Sequence, residues 1–494
     1  MSTYFCVYLG SAFLAILLTP LVIRLANRIG AVDQPGVRTV HQQPVPRIGG
    51  VAIFASAMGL IPAVLFLDNV IGVAFREMQK QLTAVFCCSM LVFLIGLVDD
   101  LKGLPARFKF LAELVAAAAL CVVGVRIDSF GITESFVVHL GSWGFLLTVL
   151  WVVGITNAVN LSDGLDGLAA GVSAITCGVI AVFAIHSGDV VLAVFMLALV
   201  GSLSGFLVFN FNPARVFMGD CGSLFLGFTI AASSVLCVAK STALVALSLP
   251  ALALGIPIFD TFFSMLRRYL ERRSLFAPDR SHFHHRLLDL GFHQRHAVIL
   301  IYLATVFAAG LGLFMLIRDD LGSLVVFACV LFLIVLLFRI VGAVHPGATL
   351  AALQHKRYYA RQERETQRTF ERLQLGFRHM HNDRWWQALC DAAQQLGLAW
   401  ISVHIENANG TVDTFVWRAQ SVPRESARVV TVSLPIFVDR RWMEFEAAVL
   451  VNGSLESASH RLSLFGRLID EGAVRNSAII AERTPRPGPV VCHH

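Results

Sequence analysis

Long apolar blocks separated by short polar stretches occupy the first two thirds of the chain. A helix that spans a bilayer needs about 20 consecutive, mostly apolar residues, and most blocks approach this length. The pattern therefore predicts an all-α polytopic membrane protein with about eleven transmembrane helices. The predicted spans cover residues 4–26, 49–67, 82–98, 108–125, 143–159, 166–186, 190–209, 222–239, 243–266, 297–317 and 322–342.

The pattern changes after residue 342, where charged residues become frequent. Residues 343–494 hold 33 of the 72 Asp, Glu, Lys and Arg residues of the chain. A basic stretch over residues 356–384 predicts a helix, which either lies along the anionic membrane surface or is a solvated connection. Alternating apolar positions then predict four strands, and a further helix is expected over residues 460–481. The predicted strands cover residues 400–405, 412–417, 428–436 and 442–451.

These patterns divide the chain into a transmembrane domain and a soluble C-terminal part. We assign residues 1–342 to the transmembrane domain and residues 343–398 to a charged helical connector. Residues 399–484 are predicted to form a small cytoplasmic α+β domain whose order of elements is similar to that of GAF-like modules. Residues 485–494 are expected to be a disordered tail.

Composition excludes a water-soluble globular protein, because 56% of the residues are apolar and only 15% are charged. If the chain crosses the membrane at every apolar run, sixteen of the 21 Lys and Arg residues in the first 342 positions fall on one side and five on the other. The positive-inside rule then places the N-terminus outside and the C-terminal part in the cytoplasm. The net charge of +6 is explained by these loops, so no nucleic-acid partner is predicted.

The same topology brings seven aspartates to the cytoplasmic face. Asp99 and Asp100 are adjacent at the end of an apolar span. Adjacent carboxylates repel each other unless a cation or the aqueous boundary offsets them, and Mg²⁺ prefers oxygen ligands. A helix end that meets water is the alternative interpretation. The seven residues are Asp99, Asp100, Asp163, Asp166, Asp220, Asp260 and Asp279.

Asp163 and Asp166 are three residues apart, with Asn160 just before them. This spacing puts both carboxylates on one face at the positive end of a helix dipole. An ordinary N-cap would explain Asp163 alone, but not Asp166 as well. Asp220 either starts a helix or supplies a third oxygen ligand to a metal, and Asp260 lies deeper in an apolar helix, where an ionisable residue suggests function.

The loop over residues 274–286 is rich in histidine and arginine, with Arg280, His282, His284 and His285 close together. A zinc site is disfavoured because no cysteine lies nearby. The loop offers many donors to phosphate groups instead. Together with the carboxylates and the apolar helices, it predicts a reaction between a water-soluble phosphorylated donor and a lipid acceptor.

Four separated motifs carry a resemblance to a known family. GLVDD, NAVNLSDGLDGLA, FNPARVFMGDCGS and PDRSHFHHRL occur in this order. They resemble the polyprenyl-phosphate N-acetylhexosamine-1-phosphate transferases over residues 1–340, and the early loop with Asp33, His41 and Arg47 is also similar. The HxHH sequence at His282 resembles the WecA-type branch more than the MraY-type branch, which has three consecutive histidines.

The resemblance implies transfer of GlcNAc-1-phosphate from UDP-GlcNAc to undecaprenyl phosphate, with release of UMP, as the first membrane step of a cell-surface polysaccharide pathway. It implies dependence on Mg²⁺, with Mn²⁺ as a substitute, in the bacterial inner membrane among membrane lipids, and a homodimer. No motif selects GlcNAc over other N-acetylated sugars. An MraY-type phospho-MurNAc-pentapeptide transferase is the alternative enzyme, and a polytopic transporter is the alternative from another class.

Residue roles follow from the motifs that match. Asp99, Asp100, Asp163 and Asp166 are expected to be catalytic, and Asp99 also to act as a base. The expected metal ligands are Asp99, Asp100 and Asp220. The expected substrate-binding residues are Lys109, Asn160, Asp260, Arg280, His282, His284 and His285.

Overall fold

A computed structural model divides the chain into two compact units, residues 1–349 and residues 350–494. The structure describes residues 2–34, 44–59, 61, 70–133, 136–240, 244–270, 282–314, 321–341, 346–378, 385–406, 411–419, 429–438, 441–451 and 455–476.

The first unit is helical. Its helices are α1 (Ser2–Ile29), α2 (Gly50–Met58), α3 (Val70–Glu77), α4 (Gln79–Lys102), α5 (Ala106–Val122), α6 (Trp143–Ser162), α7 (Leu168–His186), α8 (Val190–Asn210), α9 (Gly219–Lys240), α10 (Leu244–Ala253), α11 (Gly255–Leu270), α12 (Phe283–Asp289), α13 (Gln294–Phe314) and α14 (Leu321–Ile340). Two short antiparallel pairs accompany them, β1 (Val32–Asp33) with β2 (Val45–Pro46) and β3 (Ser129–Thr133) with β4 (Phe136–His139).

Within the described ranges, seven of these helices are long and apolar enough to cross a bilayer. They are α1, α4, α6, α7, α8, α9 and α13. The pair α10 and α11, bent by 73°, gives an eighth if it forms one broken span. Each of the eleven predicted runs overlaps a helix, but α2, α5 and α14 do not meet the length and polarity requirements. The chain is an integral membrane protein, as predicted.

Helix α9 forms the centre of this unit and packs against α2, α4, α6, α7 and α10. All of its residues from Cys221 to Cys237 are buried. Small residues permit this close approach. A Cβ atom on Gly96 of α4 would come within 2.7 Å of the Cys221 backbone, and one on Gly50 of α2 would overlap the backbone of Gly222. The glycines therefore bring α2 and α4 against the amino-terminal end of α9.

Gly50→Ala is expected to destabilise the membrane unit, because the added methyl group has no space beside the Gly222 backbone. Overpacking of this kind typically costs about 1–3 kcal/mol. The measurement is the thermal unfolding midpoint of the detergent-solubilised protein. Gly178→Ala in α7 is the control, since no atom lies within 4 Å of its added Cβ atom. Equal midpoints for the two variants would show that the α2–α9 contact is not tightly packed.

The second unit contains the predicted strands. They are β5 (Leu398–Glu406), β6 (Val412–Arg418), β7 (Val429–Val438) and β8 (Arg441–Leu450), and the helices are α15 (Pro346–Arg378), which begins before the unit boundary, α16 (Trp385–Gln395) and α17 (Leu455–Asn476). The strands form one antiparallel sheet in the order β6-β5-β8-β7. One sheet face, with Ile401, Val403 and Phe445, shares a core with the helices. The predicted strand-containing C-terminal region is confirmed.

Candidate active site

A cleft of about 410 Å³ opens where several helices of the membrane unit begin or end. Its walls come from the β1–β2 region, the end of α4, the loop between α6 and α7, the start of α9 and the start of α13. Among the described residues, five aspartates and Arg47 line it. The lining residues are Asp33, Arg47, Asp100, Asp163, Gly164, Leu165, Asp166, Asn210, Phe217, Gly219, Asp220, His285 and Gln294. The motifs that are distant in sequence therefore meet in one place.

Lys109 connects two of the predicted carboxylates beside this cleft. Its Nζ atom lies 2.7 Å from Asp99 Oδ2 and 2.5 Å from Asp220 Oδ2. The second Asp99 oxygen accepts a hydrogen bond from the backbone N–H of Leu104. The lysine side chain is 18% exposed, so the ion pairs are only weakly screened by water. Lys109 thus holds the ends of α4 and α9 together and keeps two carboxylates close to each other.

Asp100 has a different position from its neighbour. Its carboxylate accepts hydrogen bonds from the backbone N–H groups of Asp220 and Cys221, both at 2.9 Å. These N–H groups belong to the first turn of α9 and have no partner within the helix, so Asp100 caps α9. Gly219 begins the helix at φ +73°, and a side chain there would also collide with Asp100. The geometry favours a positioning role for Asp100 over the predicted metal-ligand role.

Asp163 follows α6 directly and lines the cleft. Its carboxylate has no hydrogen-bond donor among the residues that the structure describes. Burial, followed by repulsion from Asp220, Asp100 and Asp166, raises the pKa of Asp163 to about 8. A carboxylate in such surroundings lacks a compensating positive charge, which a cation would supply.

Asp166 and Asn160 are held by hydrogen bonds from neighbouring segments of the chain. Asp166 Oδ2 accepts hydrogen bonds from Asn212 Nδ2 at 2.9 Å and from the Ala214 backbone N–H at 3.0 Å. Asn212 also donates to Gln294 Oε1 at 3.0 Å. Asn160 accepts a hydrogen bond from Ser223 Oγ of α9 at 2.7 Å. These contacts fix the loop between α6 and α7 against α9 and α13.

The histidine motif divides between buried and cleft-lining positions. His282 Nδ1 lies 2.9 Å from Asp260 Oδ2, and the Phe283 backbone N–H donates to Asp260 Oδ1 at 2.8 Å. His284 is 3% exposed and touches Gly164, and burial lowers its pKa to about 3. It is therefore neutral near pH 7. His285 lines the cleft.

Asp260, His282 and His284 are buried. Their positions favour a structural role, in which they hold the loop in place, rather than direct contact with substrate. Their predicted substrate-binding roles, and that of His285, stay predictions. Arg280 lies outside the described residues.

Asp260→Ala is expected to lower activity about tenfold by displacing His282 and the start of α12. It leaves two buried donors without an acceptor, so the free energy of unfolding should also fall by about 1–3 kcal/mol. Measuring KM, kcat and the thermal midpoint checks both effects, with the exposed Asp289→Ala in α12 as the control. Full activity in a stable Asp260→Ala protein would contradict the positioning role.

The described residues contain no group of three His, Cys, Asp or Glu side chains with metal-ligand geometry. The donor set nevertheless fits Mg²⁺, which is often held by one or two carboxylates together with substrate phosphates and water. Asp163 has an uncompensated carboxylate, and the Asp220 carboxylate is also at the cleft. An anionic nucleotide would be repelled by five aspartates unless a cation entered with it.

Comparisons with known proteins identify the family to which the chain is similar. The family described as glycosyl transferase family 4 matches residues 82–238, which include α4 to α9 up to residue 238. A relative from Bacillus subtilis strain 168 is 43% identical over 299 residues, which are 60% of this chain and 80% of the relative. The chain belongs to glycosyl transferase family 4. The family predicted from the four motifs is confirmed.

The names of these family members state what each of those proteins does. The Bacillus relative is named probable undecaprenyl-phosphate N-acetylglucosaminyl 1-phosphate transferase. A Mycobacterium tuberculosis H37Rv relative, named decaprenyl-phosphate N-acetylglucosaminephosphotransferase, is 37% identical over 64% of this chain and 85% of its own length. An Escherichia coli K12 relative, named undecaprenyl-phosphate alpha-N-acetylglucosaminyl 1-phosphate transferase, is 29% identical over 58% of this chain and 77% of its own length.

The structure identifies three further residues at the site that the sequence analysis did not select as site residues. Arg47, noted only as part of a similar loop, lines the cleft and donates through Nη2 to the Asp100 backbone carbonyl. Its Nε atom is buried and has no hydrogen-bond partner among the residues that the structure describes. Asn212 donates to Asp166, and Gln294 holds Asn212 by accepting its other hydrogen bond. Asn212 lies within a quoted motif and Arg47 within the early loop. Gln294 lies outside every motif, at the polar start of α13, so the sequence gives no signal for it.

Proposed function

We propose that this protein transfers GlcNAc-1-phosphate from UDP-GlcNAc to undecaprenyl phosphate, giving undecaprenyl-diphosphate-GlcNAc and UMP. The similarity to relatives named for this transfer carries the proposal. The cleft supports it, because a cluster of carboxylates and cations at the ends of membrane helices suits a soluble nucleotide and a lipid phosphate. The product would begin a cell-surface polysaccharide.

The proposed reaction is a phosphoryl transfer. An oxygen of the lipid phosphate attacks the phosphorus that bears GlcNAc, forming the new diphosphate bond. The bond from that phosphorus to the oxygen shared with UMP breaks, and UMP leaves with this oxygen. A lipid phosphate that enters as a dianion needs to release no proton. Positioning and charge stabilisation therefore contribute more than a strong base.

The residues of the cleft have separate proposed roles. Lys109 faces the phosphates as a cation while it holds Asp99 and Asp220. Arg47 lines the cleft and would bring its positive charge to the diphosphate. Asp163 and Asp220 would hold Mg²⁺, or Mn²⁺ in its place, and the bound ion would neutralise the transferring phosphoryl group and the UMP leaving group. Asp166 fixes the wall of the cleft.

The topology that we propose keeps all eleven spans, with α2, α5 and α14 crossing together with the longer helices. An extracytoplasmic N-terminus puts the cleft and residues 343–494 in the cytoplasm, and the membrane is the bacterial inner membrane. We also propose that the chain divides at residues 342, 398 and 484. The homodimer is part of the same proposal.

The test is lipid-dependent release of UMP by the purified full chain with undecaprenyl phosphate and a panel of UDP-sugars. UDP-GlcNAc is expected to be turned over with Mg²⁺. EDTA is expected to abolish the release of UMP, because the carboxylates of the cleft would then face the diphosphate without a compensating cation. Restoration by added Mg²⁺ is the control for EDTA damage. A folded protein that releases no UMP from any donor would overturn the proposal, and turnover of UDP-MurNAc-pentapeptide alone would favour the MraY-type reaction.

A further inference from the structure

Helix α15 (Pro346–Arg378) has two different faces within the second unit. Phe370 and Phe377, seven residues apart, point into the core that the helix shares with the sheet. Leu373 packs against the same core. Arg467 of α17 also lies over the Phe370 ring, 5.2 Å from its centre. These contacts fix the rotation of α15 against the unit, so the opposite face is held outward.

The outward face carries four arginines, Arg361, Arg364, Arg368 and Arg372, which we name the arginine stripe. Spacings of three and four residues put them on one side of the helix, and all four are exposed. No carboxylate of the described residues forms an ion pair with any of them, although exposed Glu365 and Glu371 flank the stripe. Four guanidinium groups thus stay available for an external anion.

An apolar side chain lies within the same face. Leu375 follows Arg372 and Arg368 at helical spacing, and its side chain is 59% exposed. Guanidinium groups bind phosphodiesters through paired hydrogen bonds, while an exposed leucine gains by entering the acyl boundary of a bilayer. An acidic protein could pair with the arginines, but it would not explain why an exposed leucine lies on the same face.

The position of α15 in the chain favours the same partner. The apolar helix α14 ends at Ile340, and α15 begins six residues later at Pro346. Seven basic and three acidic residues lie in α15, a net charge of +4. Basic segments that directly follow a membrane helix are attracted to anionic lipid headgroups. The short connection also keeps the stripe at high local concentration near the bilayer.

We propose that the arginine stripe binds the anionic phospholipid surface of the membrane and docks the C-terminal unit on it. The partner is a bilayer that displays phosphodiester headgroups, with Leu375 entering its boundary. The proposal does not depend on the transferase reaction, because none of the stripe residues lines the cleft.

The experiment compares the full chain in nanodiscs of phosphatidylcholine alone with nanodiscs that contain 40% phosphatidylglycerol, as a rough design value for a strongly anionic surface. Arginine side chains are modified with phenylglyoxal, and the rate at each arginine is followed by mass spectrometry. Arg418, exposed on β6 of the same unit, is the internal reference. The four stripe rates should fall about threefold or more relative to Arg418 in the anionic nanodiscs, and 0.5 M salt should reverse much of the protection, since salt at roughly this level screens surface charge.

Variants and soluble phosphate separate the outcomes. Arg364→Gln with Arg372→Gln should reduce the protection at Arg361 and Arg368 relative to Arg418. The control Glu444→Gln, at an exposed position of β8, should leave the protection unchanged. Soluble glycerophosphate added to phosphatidylcholine nanodiscs should give no protection. Equal modification rates of the stripe arginines in the two kinds of nanodisc would overturn the proposal. Protection that appears only with an added acidic protein would also overturn it.

Discussion

Asp163→Asn is expected to lower the rate of UMP release by about a hundred- to a thousandfold while leaving the protein at least as stable as before. Asp163 lines the cleft without a hydrogen-bond donor among the described residues, and its pKa is raised to about 8 by burial first and neighbouring carboxylates second. A carboxyl group with a raised pKa opposes folding when it is ionised. This loss of folding free energy therefore grows as the pH rises from the usual pKa of an aspartate towards 8. Asparagine removes the charge and the cost together.

The measurement pairs turnover with the thermal midpoint in EDTA at pH 7 and at pH 8.5. The gain in midpoint of Asp163→Asn over the native protein should be larger at the higher pH. Asp189→Asn is the matched control, because Asp189 caps α8 through the Leu192 N–H and does not line the cleft. It should keep its activity and stay close to native stability, because Asn and Asp are about equally good N-cap residues. A destabilised Asp163→Asn with normal turnover would assign Asp163 to structure.

Lys109→Met is expected to lower kcat/KM by about a hundredfold or more and to destabilise the membrane unit as well. The Lys109 ammonium lies between Asp99 and Asp220, at 2.7 Å and 2.5 Å. Methionine would leave two partly buried carboxylates facing each other, and breaking a buried pair in this way typically costs about 3–5 kcal/mol. Because the Asp220 side chain is 31% exposed, water screens the pair, and the expected loss of stability lies at or below the lower end of that range.

Two further variants separate charge from position at Lys109. Lys109→Arg keeps the charge but changes the donor geometry, so it should recover most of the stability and only part of the turnover. Lys102→Met removes an exposed lysine at the end of α4 and should change neither. If Mg²⁺ raises the thermal midpoint of Lys109→Met to the native value without restoring turnover, the lysine acts on substrate phosphates beyond its role between the carboxylates. Native turnover in Lys109→Met would remove it from the site.

Sequence patterns were sufficient for the membrane helices and for the convergence of the motifs. Apolar length alone identifies α4 and α6 to α9, since a bilayer imposes a minimum run of apolar residues on any spanning helix. The aspartates at the ends of these helices could be grouped because alternate crossings return the chain to the same face. Strands β5 to β8 were predicted closely from alternation, which records a sheet with one buried face.

The separate roles of the site residues depend on side-chain packing, which could not be predicted from the sequence. Asp99 and Asp100 are adjacent, yet one pairs with Lys109 and the other caps α9, because successive positions of a helix point in different directions. The histidine motif likewise splits into buried His284 and cleft-lining His285. The sheet order β6-β5-β8-β7 was not predicted, since many pairings share one alternating pattern.

The fate of the phosphorus that bears GlcNAc tests the central claim most directly. UDP-GlcNAc labelled with ³²P at that phosphorus is incubated with undecaprenyl phosphate, Mg²⁺ and the full chain, beside Asp163→Asn. The account predicts that the label moves into the lipid product, that unlabelled UMP appears in equal amount, and that the variant does neither. Label that remains in released UDP while the sugar reaches the lipid would contradict sugar-1-phosphate transfer, because the bond broken would then be the glycosidic one.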